Sequence, residues 1–376
     1  MIYFDSAATT FQKPPSVAAA IQEALNTMSS IGRGGYWAAN RAAETAFQCR
    51  MELAELFHVE NPEQVIFTFN ATHALNIAIK TLVDPGDRVV ISGYEHNAVT
   101  RPLYTLGADV TVAKAPLFSG KEELDAFESA IEDNTKVVVC SHVSNVFGFI
   151  QPIEGIAEIC RRKQVPLIID ASQSAGILSL DMDALGAAFI AMPGHQGLYG
   201  PQGTGVLLCG KDILSKTLLE GGTGSLSRQQ NMPEFLPDRL EAGTHNVTGI
   251  AGLLAGVLFV KSRGIDVIFE KERRLAWFAA ESIRESLPGI RVIASQGLAE
   301  QAGVLSLVSE KPDAETLGTA LGEREIAVRA GLHCAPLAHE SAGTLNTGTI
   351  RLSFSDFNTP EEVCCFVERL RESLDS

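Results

Sequence analysis

"QVIFTFNATHALNIAIKTLVDPGDRVVISG", residues 64–93, changes its hydrophobic period twice. "QVIFTF" is apolar, β-branched and aromatic, which predicts a short strand. "ATHALNIAIKTL" (71–82) places its apolar residues at helical spacing. "DPGD" is turn chemistry, and "RVVISG" begins a second apolar strand. A strand–helix–strand unit with continuous apolar strands predicts a mostly parallel sheet covered on both faces, since such strands bury both sides.

The alternation extends in both directions. "SVAAAIQEALNTM" (16–28) and "ANRAAETAFQCRMELAELF" (39–57) have helical spacing. Helical "KEELDAFESAIED" (121–133) precedes the strand "KVVVCSHVSN" (136–145), and "IEGIAEICRRKQ" (153–164) precedes "VPLIIDAS" (165–172). "AAFIAMPG" (187–194) and "TGVLLCG" (204–210) close this α/β series around a Gly-His turn. One long helix is expected from about 250 to 285. Beyond it, "IRVIAS", "AGVLSLVS", "DAETLGTALGER", "IAVRAG", "TIRLSFS" and "TPEEVCCFVERLRESL" predict a smaller α+β domain. Thr359-Pro360-Glu361-Glu362 is a helix start.

The chain has 376 residues, enough for two domains. Its net charge of −15 argues against nucleic-acid and anionic-membrane partners, which require clustered cations. The seven cysteines form no C-x-x-C pair and no metal spacing with the histidines, so no metal is expected. They read as small apolar fillers, and their odd number suggests a reducing compartment. "MIYFDSAATT" is no signal peptide, and "VTGIAGLLAGVLFV" (247–260) is too short to span a bilayer and reads as a buried helix. A cytoplasmic location is the expectation.

Polar clusters follow the strand ends, where ligands of such sheets bind. Asn70, Ala71 and Thr72 start a helix, whose free N–H groups favour a phosphate; the alternative is a plain cap by Thr72. His96 can stack on a flat ring or be an ordinary loop histidine. Asn145 ends one strand. Asp170 ends another, and Gln173 follows it. A carboxylate there is costly unless paired, so Asp170 caps the next helix or faces a cation or protonated ring nitrogen. Cys334, beside Arg329 and His333, is either a thiolate nucleophile or a buried structural cysteine. Arg351 in a strand either clamps a carboxylate with its planar fork or forms a surface ion pair.

Taken in order, from "YFDSAATT" to "RLSFSDFNTPEEV", these pieces resemble the class V branch of fold-type I pyridoxal-phosphate (PLP) enzymes. "RAGLHCA" resembles the short-loop motif of the cysteine desulfurases and selenocysteine lyases. The resemblance implies a large domain (15–250) with a mostly parallel seven-stranded sheet and a small α+β domain (1–14 and 251–376). It implies that His96 stacks on the pyridine ring and that Asp170 pairs with its N–H, improving the electron sink. Gln173 and Asn145 would lie near the phenolic oxygen. Thr72, His195 and N–H groups near Ala71 would hold the phosphate. Thr244 would reach the phosphate of a second subunit, implying a homodimer. Arg351, with Asn145 nearby, would bind the substrate carboxylate, and Arg329 would assist Cys334. Cys334 would take sulfur from cysteine, or selenium chemistry would follow from selenocysteine, leaving alanine. An acceptor protein for that sulfur or selenium is implied too.

The sequence departs from the pattern at Ala71, His73, Pro193 and Leu332, and above all at Gln196. The family has Gly-His-Lys where this chain has Gly194-His195-Gln196. That lysine holds the cofactor and shuttles protons, and an amide does neither. Lys211 and Lys216, the next lysines along the chain, follow the succeeding strand. PLP is therefore expected non-covalently, or linked to a substrate amine. Three readings stay open: a Lys→Gln replacement made to stall the reaction, a natural pseudoenzyme, and an amine supplied from elsewhere. The expected activity is a desulfurase or lyase, inactive or severely impaired. The alternatives are another class V reaction (aminotransferase or β-lyase) and a non-catalytic binding protein.

Overall fold

The computed structural model describes residues 1–374 apart from Arg33, Asp212 and Leu214; residues 375 and 376, the end of the expected second domain, lie outside the described residues. In chain order the first elements are β1 (Ile2–Tyr3), α1 (Pro15–Thr27), α2 (Trp37–Leu56), β2 (Val65–Thr68), α3 (Ala71–Leu82), β3 (Arg88–Ser92), α4 (Asn97–Leu106) and β4 (Asp109–Ala113). There follow α5 (Gly120–Ala130), β5 (Thr135–Ser141), α6 (Ile153–Lys163), β6 (Leu167–Asp170), α7 (Met182–Leu185), β7 (Phe189–Pro193) and β8 (Gly205–Cys209). The remainder comprises α8 (Val247–Arg263), α9 (Ile265–Ser286), β9 (Arg291–Ile293), β10 (Val304–Val308), α10 (Ala314–Glu323), β11 (Ile326–Ala327), β12 (Arg329–Gly331), α11 (Pro336–Ser341), β13 (Thr349–Ser353) and α12 (Pro360–Leu374).

Seven strands form the large sheet in the order β2-β8-β7-β6-β5-β3-β4. All its pairings are parallel except those of β8, which runs against both neighbours. Alternate residues of each strand enter opposite cores, as a period of two dictates. Val138, Ile169, Ile190 and Leu208 join one face. Val139, Ile168, Phe189 and Leu207 join the other, under α3 and α4. Both faces are covered, which is why these strands are apolar throughout.

A second sheet, β12-β13-β10-β9, is antiparallel and packs against α9, α10 and α12. β1 pairs with β11, tying the N-terminus to this part of the chain. α12 starts as expected, with the Thr359 hydroxyl accepting from Glu362 N–H and Glu362 accepting from Thr359 N–H.

The structure corrects three local expectations. α4 and β4 are not evident in the sequence, because α4 contains Pro102 and β4 is an edge strand whose residues 109 and 110 are exposed. The single helix over 250–285 is two, broken at Gly264, whose φ of +89° leaves the helical region. Cys364 is exposed on α12, so it is no core filler, whereas Cys49, Cys140, Cys160 and Cys209 are buried.

Candidate active site

A cavity of about 230 Å³ opens at the carboxyl ends of β2, β3, β5, β6 and β7. β12, β13, the turn after β12 and Ala7–Ala8 close its other side. The chain thus brings Ala71, Thr72, His96, Asn145, Asp170, Gln173, His195, Gln196, Arg329, Cys334 and Arg351 to one cavity. Thr244 lies apart, in a separate cleft with Phe69, His73 and Leu219.

On the large-sheet side, Asp170 ends β6 nearly buried. Its Oδ1 accepts from the N–H and hydroxyl of Ser172, while Oδ2 takes no hydrogen bond among the described residues. Burial pushes this carboxyl up, opposed by Ser172 and by the charge of nearby His96. His96 is the N-cap of α4, and its Nδ1 accepts from Ala98 N–H at 3.0 Å. That bond leaves the proton of the neutral ring on Nε2. Burial lowers the imidazole, and Asp170 partly offsets it.

α3 begins at Ala71, but the cap is Asn70, whose Oδ1 accepts from His73 N–H; Thr72 is not the cap. A Cβ at Gly205 would come within 2.6 Å of the Asn70 backbone, so only glycine lets β8 carry this helix start so closely. His195 Nδ1 is buried without a hydrogen-bond partner. Burial, with Lys13 nearby, lowers this imidazole as well.

Gln196 is held at both ends of its amide. Nε2 donates to the Ala7 carbonyl at 2.8 Å, and Oε1 accepts from Gln173 Nε2 at 3.1 Å. Gln173 also donates to Ala7 O at 3.0 Å. No lysine lines the cavity among the described residues. Lys13, remote in sequence, comes close behind it, donating to the His195 carbonyl and the Thr10 hydroxyl. Burial pushes its ammonium down to about 8.

On the small-sheet side, the turn after β12 lifts Cys334 into the cavity. His333 and Cys334 have φ of +49° and +56°, the left-handed region that non-glycine residues enter rarely. Asn145 Nδ2 donates to His333 O and Asn97 N–H donates to Cys334 O, which fixes the turn. Cys334 is exposed. Burial pushes up the thiols of Cys49, Cys140, Cys160 and Cys209, Cys160 to about 12. His333 is pushed down to about 2 by burial and the Arg351 charge, so it is neutral. Arg351 is 2% exposed; it donates to Asn145 O at 3.0 Å and to Asp5 Oδ1 at 2.6 Å.

Residues 2–366 match the aminotransferase class-V family. The chain belongs to that family. Among curated proteins, the class-V chain is 32% identical over 382 residues to a "Probable cysteine desulfurase" of Methanothermobacter thermautotrophicus, covering 99% of this chain and 94% of that one. It is also 32% identical to a "Probable cysteine desulfurase" of Mycolicibacterium paratuberculosis, but spans only 55% of that longer protein. Among solved structures, the apo cysteine desulfurase of Thermococcus onnurineus superposes with a TM-score of 0.90 at 28% identity, covering 100% of this chain and 94% of that one. The Escherichia coli cysteine desulfurase CsdA gives 0.86 at 27%, covering 99% and 94%.

PLP, the cofactor that class-V membership implies, finds complementary groups here. Asp170 Oδ2 is open to a ring N–H, His96 offers a flat face, and α3 offers free N–H groups beside the unpartnered His195 Nδ1. The amine is what the donor set lacks.

Several site residues were not read from the sequence as such: Asp5, the Ala7 carbonyl, Ser172, Lys13 and Glu95. Glu95 is wholly buried under the site, with Oε1 accepting from Ser92 Oγ and Ser141 N–H, and burial raises its carboxyl to about 8. A signal for Asp5 existed: an acid within "MIYFDSAA" requires a partner if that segment is buried. Among the described residues no cluster of His, Cys, Asp or Glu is placed to hold a metal, and no helix is long and apolar enough to cross a membrane.

Proposed function

We propose that this class-V chain binds PLP and L-cysteine as a cysteine desulfurase does, with Cys334 as sulfur acceptor, and that Gln196 leaves it turning over slowly or not at all. The observation that carries the reading is an exposed cysteine on a strained turn, facing a cavity that no lysine among the described residues lines. The names of its relatives favour the same substrate.

PLP, when bound, supplies an electron sink for the substrate carbon. Asp170 would receive the ring N–H, His96 would lie against the ring, and Thr72, His195 and the start of α3 would take the phosphate. Arg351 receives the substrate carboxylate, with Asn145 holding the guanidinium through its carbonyl and the Cys334 turn through its amide. The Cys334 thiolate attacks the substrate sulfur. An S–S bond forms, the C–S bond breaks, and its electron pair stays on the carbon, which takes a proton to become alanine. Cys334 becomes a persulfide, ready for an acceptor protein. Selenocysteine presents the same carboxylate and amine to these groups and is the alternative substrate.

Gln196 has no role in proton transfer. Its amide is not basic, and both its ends are already bonded. We place Thr244 at a homodimer interface, where the exposed Phe69 and Leu219 of the same cleft favour a second copy.

The test is made on the Gln196→Lys chain supplied with PLP and L-cysteine. Intact mass is expected to rise by one sulfur, mapped to Cys334, and Cys334→Ala in that background removes it. A transaminase or β-lyase would keep its turnover after Cys334→Ala. A chain that never retains PLP points to a non-catalytic binding protein.

A further inference from the structure

The arginine that the proposed function assigns to the substrate is already holding a carboxylate. Arg351 Nη2 donates to Asp5 Oδ1 at 2.6 Å and Nη1 to Asn145 O, while Nε is buried with no partner. Arg329 stands directly opposite on β12, in register with Arg351. Directly paired residues of antiparallel strands share a face, and like charges there repel. Asp5 offsets that repulsion, leaving two guanidinium groups and one carboxylate at the small-sheet wall.

Asp5 is anchored by its backbone, not by its side chain. Phe4 N–H donates to Ala327 O, Ser353 N–H to Phe4 O, and Ser6 N–H to Ser353 O, so the main chain is clamped on both sides of Asp5. The Asp5 carboxylate has no partner besides Arg351 among the described residues, and its side chain is 19% exposed. Rotation about its own χ1 releases it to water while the backbone stays in place.

We propose that Asp5 is a resident carboxylate that competes with the ligand's own for Arg351, and so sets the affinity and selectivity of the site. A ligand bearing a carboxylate exchanges one anion for another. A ligand without one leaves Asp5 on Arg351, because displacing it would leave a buried guanidinium unpaired, which is costly. The proposal rests on the amino-acid reading of the cavity.

Its test is calorimetric binding of L-alanine and L-alaninamide to the full chain with PLP present, for the unaltered protein, Asp5→Asn and Asp5→Ser. Both variants are expected to bind L-alanine at least tenfold tighter, about 1.4 kcal/mol, with no such gain for L-alaninamide. L-Alanine bound equally well or more weakly by the variants overturns the proposal, because Asp5 would then only orient Arg351. L-Alanine bound by none of the three overturns the amino-acid reading and the proposal with it. A crystal structure of the unaltered chain with L-alanine decides the matter if both variants fail to fold. Asp5 swung off Arg351 supports the exchange, and Asp5 still bonded to it with L-alanine seated overturns it.

Discussion

Two turns face each other across the cavity, and they differ in what their central side chain is free to do. The turn after β7 carries Gln196, a neutral amide bonded at both ends to Ala7 and Gln173. The turn after β12 carries Cys334, exposed and held up by two consecutive left-handed residues. Backbone strain of that kind persists only where the surroundings impose it, and here Asn97 and Asn145 do so. The half of the site proposed to receive sulfur keeps an exposed thiol and the costly geometry that presents it. The half around Gln196 presents a neutral amide where the proposed chemistry needs a base. On the proposed reading, shape and chemistry are separable within one cavity: a side chain of similar length preserves the first without supplying the second.

Restoring the amine is the strongest way to break this contrast. Gln196→Lys is expected to raise alanine release from L-cysteine with PLP by on the order of 10²-fold or more, the usual worth of a positioned acid–base group. Next in size is Arg351→Ala on the Cys334 side. It removes the bonds to Asp5 and Asn145 and should cost about 1.5–3 kcal/mol in urea unfolding, the usual worth of hydrogen bonds to a charged group; Asp5, partly exposed, turns to water.

A smaller effect belongs to Glu95, beneath the large-sheet side. Its carboxyl lies at about 8 in the folded chain, raised by burial from its ordinary value of 4.5. The folded state therefore holds a proton that the unfolded state releases. The associated stability is present below about pH 4.5 and is lost as pH rises through 8. Glu95→Gln should flatten that decline, by on the order of a few kcal/mol between pH 5 and pH 9. Thermal unfolding across that range checks it, and an unchanged slope would count against a protonated Glu95. Smallest of all is Cys334→Ala, expected to shift stability by no more than about 0.5 kcal/mol, because an exposed thiol packs against little. A large loss would mean that the turn depends on the thiol and not on Asn97 and Asn145.

Much of this was legible along the chain because strand ends in an α/β sheet converge on one edge. Asp170, Gln173, His96 and Asn145 each follow an apolar strand, so their meeting could be expected before any coordinates. The short and amphipathic elements were less legible. β4 lies at the sheet edge with half its side chains in water, and α4 carries an internal proline, so neither shows a clean period. Gly264 breaks a long apolar pattern that periodicity alone reads as continuous. Asp5, with only a weak signal, and Lys13, with none, were missed for a different reason. Each sits in the first residues of the chain and reaches its partner, Arg351 or His195, only through tertiary folding. The position of Lys13 also shows that sequence separation is a poor measure of which amine lies near residue 196.

That lysine sets the most direct test of the central claim, that no amine of this chain takes the place of the missing one. The unaltered protein is loaded with PLP, treated with borohydride to fix any lysine–cofactor linkage, and weighed intact beside the Gln196→Lys form treated in the same way. The account predicts a stoichiometric adduct on the lysine form and none on the unaltered chain. A stoichiometric adduct on the unaltered chain, mapped by peptide digestion to Lys13, would contradict it.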